Sequence, residues 1–201
     1  MDTEQNKLIE LHFRQSAEVK LAASTACREA IQHTANLMTE AFKKGGKVML
    51  CGNGGSAADS QHLAAEFTSL LRQDFPRPGL AAIALTTDTS YLTARSNDFG
   101  FEQVYARLVE SLGRPGDILV GISTSGNSGN IIAAFSVARD RCITTIGLTG
   151  ANGGKLAALS DILIAVPSTK TQHIQETHIT IGHVICQLVE EQLFSPLLKP
   201  S

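Results

Sequence analysis

The 201-residue sequence has little charge and no basic run, which argues against a nucleic-acid partner. Only 18% of its residues are charged, the net charge is −2, and no Lys/Arg run is longer than Lys43–Lys44. Nucleic-acid binders attract the phosphate backbone through clustered positive charge. The sequence therefore predicts no nucleic-acid partner, whereas a small anionic ligand needs only local positive potential.

Long apolar runs and paired cysteines are also missing. The most apolar stretches, such as Leu80–Leu85 and Ile118–Ile122, are far shorter than the roughly 20 residues that span a bilayer. The N-terminal sequence MDTEQNKLIE is polar and acidic, unlike a secretory signal. The four cysteines are widely spaced without a C-x-x-C pair, which favours reduced core thiols over disulfides or a zinc–thiolate site. We expect a cytoplasmic protein without membrane contact.

What the sequence does contain is an alternation of short apolar runs and helical segments. Residues 4–44 have helical periodicity without proline or glycine, and a break is expected near positions 24–25. A short helix is predicted over 91–95, a loop over 96–100, and a long helix over 171–194. Five apolar runs read as buried strands: Val48–Cys51, Leu80–Leu85, Ile118–Ile122, Ile143–Leu148 and Ile162–Val166.

Continuous apolar strands that alternate with helices indicate a parallel sheet covered on both faces. We therefore predict a three-layer α/β sandwich with a five-stranded parallel sheet. One domain spans residues 1–201. Within it, residues 1–45 form a helical arm for oligomerisation, and residues 46–201 form the α/β core.

Two loops rich in glycine and serine each follow an apolar run. They read CGNGGS (51–56) and ISTSGNS (122–128), and Ser56 is predicted to cap the helix that follows the first loop. Hydroxyls, backbone N–H groups and helix N-termini bind phosphate without a large positive patch. Strand carboxyl ends share one edge of a parallel sheet, so both loops should line one crevice. Neither loop is a P-loop or a G-x-G-x-x-G motif, which favours a phosphorylated ligand over a nucleotide, with ordinary capped helices as the alternative.

Titratable side chains are concentrated on two of the predicted helices. His62 and Glu66 are about 40° apart around one helix, and Gln175 and His183 about 80° apart around another. These four side chains could hold zinc or another divalent ion. Glu and His could instead form an acid/base pair without a metal, or be an ordinary pair of polar side chains on the surface. His12 and His33 are expected to be structural, and His178, which could equally be a helix-packing histidine, is left outside the site.

Four stretches of the sequence, in this order, resemble a single family. They are Cys51–Glu66, Ala84–Glu102, Gly121–Ser128 and Ile174–His183. They are similar to the sedoheptulose-7-phosphate isomerases, also called phosphoheptose isomerases, of the sugar isomerase (SIS) domain family. The resemblance implies a flavodoxin-like SIS fold and a cytoplasmic homotetramer. It also implies conversion of D-sedoheptulose 7-phosphate to D-glycero-D-manno-heptose 7-phosphate, the first step towards the ADP-heptose of bacterial lipopolysaccharide.

The resemblance also implies roles for individual residues. Glu66 would be the general base and His183 the general acid of a proton transfer through an enediol(ate). One zinc ion per subunit would be held by His62, Glu66, Gln175 and His183. Substrate-contacting positions, with Ser56 added on physical grounds, are Asn53, Gly54, Gly55, Ser56, Glu66, Asn97, Asp98, Ser123, Thr124, Ser125, Ser128 and Gln175.

Two positions depart from the family pattern. Leu70 and His173 stand where family members often have arginine, and Leu70 removes a cationic contact to the substrate. An isomerase of another phosphosugar is therefore the first alternative. The second alternative is a non-catalytic SIS regulator of the type that binds the replication initiator DnaA. That relative lacks the catalytic glutamate and histidine, whereas Glu66 and His183 are both present here.

Overall fold

A computed structural model describes residues 2–195, which fold as α-helices around a parallel sheet. The strands are β1 Val48–Gly52, β2 Ala82–Ala84, β3 Ile118–Ile122, β4 Thr144–Gly150 and β5 Ile162–Val166. The helices are α1 Asp2–Ala26, α2 Arg28–Lys43, α3 Gly55–Thr68, α4 Thr89–Phe99, α5 Val104–Leu112, α6 Gly129–Asp140 and α7 Thr171–Phe194. Short 3₁₀ turns cover Phe101–Gln103 and Gly154–Leu159.

The strand order of the sheet is β2-β1-β3-β4-β5, and every strand pair is parallel. This is the flavodoxin-like order. Strand β2 lies on one side of β1, and strands β3, β4 and β5 follow one another on its other side. Ligands of such sheets bind at the switch point between β1 and β3, outside the carboxyl ends of the strands. The two Gly/Ser loops follow β1 and β3, so they flank the switch point. The predicted fold class is confirmed.

Side chains of the central strands alternate between two helical layers. Val48 and Leu50 of β1 pack into the core that α2, α3 and α7 share, whereas Met49 and Cys51 face the core formed with α5 and α6. All four side chains are buried, which explains why β1 reads as a continuous apolar run. Within residues 2–195, no helix is both long and apolar enough to cross a membrane.

Helix α4 is longer than the sequence pattern predicts. The Asp88 carboxylate accepts a hydrogen bond from the Tyr91 backbone N–H at 2.9 Å, so the helix starts at Thr89. It continues to Phe99 and ends at Gly100, whose φ of +83° is a conformation that glycine adopts without strain. The loop predicted over 96–100 is therefore wrong, because its first residues form the last turn of α4.

Helix α3 also begins earlier than predicted, so Ser56 is not its N-cap. Gly54 has a φ of +55° and turns the chain so that the helix starts at Gly55. Ser56 lies within the first turn, where it is buried and its backbone N–H donates to the Asn53 carbonyl at 3.0 Å. The Ser56 side chain therefore does not cap the helix, and its Cβ packs closely against Gly52 at the end of β1.

The structure differs from the sequence predictions in other details as well. The break in the helical arm falls at Cys27 rather than near 24–25. The predicted strand Leu80–Leu85 is shorter in the structure, Ala82–Ala84, and the Leu80 N–H donates instead to the Phe67 carbonyl at the end of α3. All four cysteines are free, and three are buried as expected, but Cys142 is exposed.

Candidate active site

The structure brings three of the predicted metal and acid/base residues into one cluster. His62 Nε2 lies 3.2 Å from Glu66 Oε1 within α3 and 2.9 Å from His183 Nε2 on α7. One ligand atom from each of the three residues lies within 4.8 Å of the others. The cluster therefore joins two segments that are far apart in the sequence.

A glycine permits the close approach of α3 and α7 that forms this cluster. A methyl group added at Gly182 would lie 2.5 Å from Leu63 Cδ2, well inside van der Waals contact. Leu63 directly follows His62, and Gly182 directly precedes His183. A larger side chain at position 182 would push the two helices apart and separate the two imidazoles.

Gln175 lies at the other end of the site, against the first loop. Its amide Nε2 would be 2.8 Å from a Cβ atom added at Gly55. Gln175 and His183 are separated by about 12 Å along the axis of α7. The Gln175 side chain thus packs against the first loop at Gly55. Its role as a metal ligand stays a prediction.

A pair of side-chain amides joins the two Gly/Ser loops. Asn53 Nδ2 donates to Asn130 Oδ1 at 2.9 Å, and Asn130 Nδ2 donates back to Asn53 Oδ1 at 2.9 Å. Asn130 is buried in the first turn of α6, and the sequence analysis did not assign it to the site. This reciprocal pair holds the two loops next to each other at the carboxyl ends of β1 and β3, and a crevice lined by both stays a prediction.

The second loop presents its hydroxyls to an open polar cavity. Ser123 is buried and its Oγ lies 3.0 Å from the Ser128 Oγ, which closes the base of the loop. A cavity of about 290 Å³ opens beside it. Its polar lining includes Thr124, Ser125, Asn127, Ser168, Thr169 and Thr171. The last three precede or begin α7 and were missed in the sequence analysis, although the run Ser-Thr-Lys-Thr after β5 was a visible signal.

Asn97 and Asp98 are not part of this arrangement in the single chain. Both lie exposed in the last turn of α4, where Asn97 Nδ2 donates to Asp98 Oδ1 at 3.0 Å. Over residues 2–195, no hydrogen bond or ion pair joins either residue to the loops or to the histidine cluster. Their predicted contact with substrate stays a prediction.

Asp59 is an additional titratable group beside the cluster. It lies one turn before His62 on α3 and is partly buried. Burial raises the pKa of the Asp59 carboxyl above its ordinary value, while His62 and His183 act in the opposite direction. The sequence signal for Asp59 was its position, three residues before the candidate ligand His62.

Arg77, which lies in the segment 76–79 between α3 and β2, supports the helix that carries Glu66. Its side chain is fully buried and its Nε donates to Glu190 Oε1 of α7 at 2.7 Å. The two Nη atoms donate to the backbone carbonyls of Glu66 at 2.7 Å, Phe67 at 2.9 Å and Pro78 at 3.0 Å. A cation at the C-terminus of α3 satisfies carbonyls that the helix leaves without partners. Arg77 thus ties the end of α3 to α7.

His178 plays the structural role that the sequence suggests. It is fully buried, and its Nε2 lies 3.0 Å from the Thr149 carbonyl oxygen. Burial lowers the pKa of His178 to about 4, so the imidazole is neutral near pH 7. A neutral ring that donates to a β4 carbonyl anchors α7 on the sheet.

The chemistry of the cluster fits a divalent ion. Two imidazoles and a carboxylate are a donor set that zinc accepts, and donors around tetrahedral zinc are roughly 3.3 Å apart. The separations of 2.9 Å and 3.2 Å from His62 Nε2 are close to that value. His62, Glu66 and His183 could therefore hold such an ion with small side-chain adjustments.

The chain is similar to proteins of known family along most of its length. Residues 12–150 match the SIS domain family. A phosphoheptose isomerase of Roseiflexus sp. (strain RS-1) is 54% identical over 179 residues, which cover 89% of this chain and 90% of the relative.

Two solved structures extend the similarity to three dimensions. The phosphoheptose isomerase of Neisseria gonorrhoeae superposes with a TM-score of 0.87 at 45% identity, over 93% of this chain and 99% of that one. The phosphoheptose isomerase of Francisella tularensis superposes with a TM-score of 0.89 at 37% identity, over 94% and 100% of the two chains. The chain therefore belongs to the phosphoheptose isomerase family of SIS domain proteins.

Proposed function

We propose that this isomerase converts D-sedoheptulose 7-phosphate to D-glycero-D-manno-heptose 7-phosphate, with Glu66 as general base and His183 as general acid. The observation that carries the proposal is the convergence of Glu66, His62 and His183 from α3 and α7, where α3 starts at the first Gly/Ser loop. Two relatives named phosphoheptose isomerase are 54% and 50% identical to the chain. The substrate class is a phosphorylated sugar.

The chemistry moves one proton between neighbouring carbons. The Glu66 carboxylate removes a proton from C1 of the ketose, which gives an enediol(ate), and the proton returns at C2 to give the aldose. The His183 imidazole transfers protons to and from the two oxygens, because O1 must lose a proton and O2 must gain one. Carboxylate and imidazole groups suit these transfers near neutral pH.

The two loops bind the phosphate and so position the reacting carbons. Helices α3 and α6 begin at the loops, and α7 begins at the wall of the polar cavity. Their N-terminal N–H groups and positive dipole ends favour an anion. The loop residues Thr124, Ser125 and Ser128 add hydroxyl donors. A phosphate held in this cavity would direct the sugar carbons along α7 towards His183.

Purified protein should isomerise sedoheptulose 7-phosphate faster than other ketose phosphates. The test is an assay of this substrate against a panel that includes five- and six-carbon ketose phosphates. Preferred turnover of a different member would replace the proposed substrate while keeping the chemistry. Turnover of none of them would favour a non-catalytic SIS protein and contradict the proposal.

We further propose that zinc, one ion per subunit, is held by His62, Glu66, Gln175 and His183. When bound there, a divalent ion supplies Lewis-acid polarisation of a carbonyl group. We expect His62→Ala to remove this ion, because the imidazole is central to the cluster. Metal analysis of the purified variant and the wild type, with His33→Ala as a matched surface control, measures the loss. An unchanged zinc content in the His62→Ala chain would contradict the ligand assignment.

The arm at residues 1–45 is proposed to join the chain into a cytoplasmic homotetramer. Helix α1 leaves several large apolar side chains exposed, among them Leu8, Phe13 and Leu21. Such a surface is typical of a helix that packs on another subunit. Free cysteines throughout residues 2–195 fit a reducing compartment. Sedimentation equilibrium measures the subunit number, and a monomer at micromolar concentration would contradict this assembly.

A further inference from the structure

A second cluster of metal-ligating side chains lies where the helical arm packs on the start of α7. His12 Nε2 of α1 lies 2.8 Å from Glu176 Oε1, and His173 Nδ1 lies 3.4 Å from Glu176 Oε2. The two imidazole rings are 4.7 Å apart between centroids. One carboxylate therefore faces two imidazoles, and each of its oxygens faces one of them.

We propose that His12, His173 and Glu176 form a second divalent-metal site, of the kind that zinc occupies. One ligand atom from each of the three residues lies within 4.8 Å of the others. The donor set of two imidazoles and one carboxylate is the same as in the His62 cluster. Imidazole suits zinc and other late first-row metals better than calcium or magnesium, which prefer oxygen ligands.

The second site is separate from the first. His173 and His183 are ten residues apart on α7, which places them about 15 Å apart along the helix axis. The two clusters share no side chain, and His173 lies about 160° around α7 from Gln175, the ligand proposed for the first site. The two clusters would therefore bind two ions per chain independently.

The burial of the three residues suits a site that is closed on one side and open on the other. His173 is buried, whereas the side chains of His12 and Glu176 are 44% and 33% exposed. Solvent can therefore supply the remaining ligand. The Ser16 hydroxyl also hydrogen-bonds the Glu176 carboxylate, and the Lys20 ammonium donates to the same hydroxyl at 3.0 Å. This positive charge opposes a cation, so we expect weaker binding here than in the His62 cluster.

The consequence of binding is a link between the arm and the α/β core. His12 belongs to α1, whereas His173 and Glu176 belong to the first turns of α7. An ion shared by the two helices would hold α1 in its packed position. Because the ion binds the folded arrangement, it should also raise the thermal unfolding temperature.

The test uses zinc chloride and the full chain with its first site disabled. We expect His62→Ala to retain one weakly bound zinc ion per chain by equilibrium dialysis, and the double variant His62→Ala/His12→Ala to bind none. His12 is half exposed on α1, so its replacement should leave the fold intact, which circular dichroism verifies. His62→Ala/His33→Ala is the matched control, because His33 is an exposed arm histidine outside both clusters.

Thermal unfolding gives a second measure of the same site. Zinc should raise the unfolding temperature of His62→Ala and of the His33 control, but not of the double variant that lacks His12. If the His62→Ala chain binds no zinc, His12, Glu176 and His173 form only a hydrogen-bonded cluster and the proposal fails. Retention of the ion after loss of His12 would place it elsewhere and also overturn the proposal. His183→Gln offers an independent background if His62→Ala does not fold.

Discussion

Glu66→Gln should lower the turnover of sedoheptulose 7-phosphate by about 10³-fold, within the 10²–10⁴-fold range typical of a lost general base. The carboxamide has nearly the same size as the carboxylate, but it cannot accept the proton from C1. The KM should change much less, because we propose that the phosphate is bound by the loops after β1 and β3 and not by Glu66. Steady-state kinetics that separate kcat from KM measure this effect.

The control for this substitution is the same chemical change away from the site. Glu110 lies exposed on α5, where it pairs with Arg107, and Glu110→Gln should retain full activity. His183→Gln should resemble Glu66→Gln, because the imidazole serves the oxygens in the same reaction. Circular dichroism should show the same fold in all three variants. Full activity in folded Glu66→Gln would remove Glu66 from the role of base.

Much of the site follows from local sequence signals. The i, i+4 spacing of His62 and Glu66 places both on one face of a helix, and the predicted bounds of the last helix, 171–194, agree with α7. Gly/Ser loops after apolar runs predicted a crevice at the strand ends. These features depend on helical and strand periodicity, which the sequence carries within a few residues.

For two helices whose start differs from the prediction, the sequence contained a local signal that the prediction did not use. Asp88 stands where an N-cap belongs, three residues before Tyr91, and it predicts the start of α4. Gly54 can adopt a positive φ, which starts α3 one residue before Ser56. Each of these helix boundaries depends on the backbone conformation of one residue, which hydrophobic periodicity does not indicate.

Other contacts could not be predicted, because they depend on how distant helices pack. His12 meets Glu176 only because α1 lies along the start of α7. Asn130 joins the site only because it meets Asn53 across two neighbouring strands. Arg77 lies in the turn Pro76–Gly79, whose composition indicates a break in structure and gives no sign of a buried ion pair. Such pairs are set by three-dimensional geometry rather than by spacing in one segment.

Arg77→Met should lower the free energy of unfolding by about 3–5 kcal/mol, the usual cost of removing one partner from a buried ion pair. The substitution keeps most of the side-chain volume but leaves the Glu190 carboxylate buried without its cation. It also removes the donors to the carbonyls of Glu66 and Phe67. Urea denaturation measures the change. Because α3 is no longer tied to α7 at this end, kcat should fall along with stability.

Two further variants separate the ion pair from general effects of the substitution. Arg72→Met removes an exposed arginine that pairs with Asp74, and it should leave stability nearly unchanged. The double variant Arg77→Met/Glu190→Leu should be more stable than Arg77→Met alone, since it no longer buries an unpaired carboxylate. Part of the loss should remain, because the α3 carbonyls still lack their donor. Equal stability of Arg77→Met and the wild type would mean that α3 and α7 are held together by apolar packing alone, with Gly182 and Leu63 at its centre.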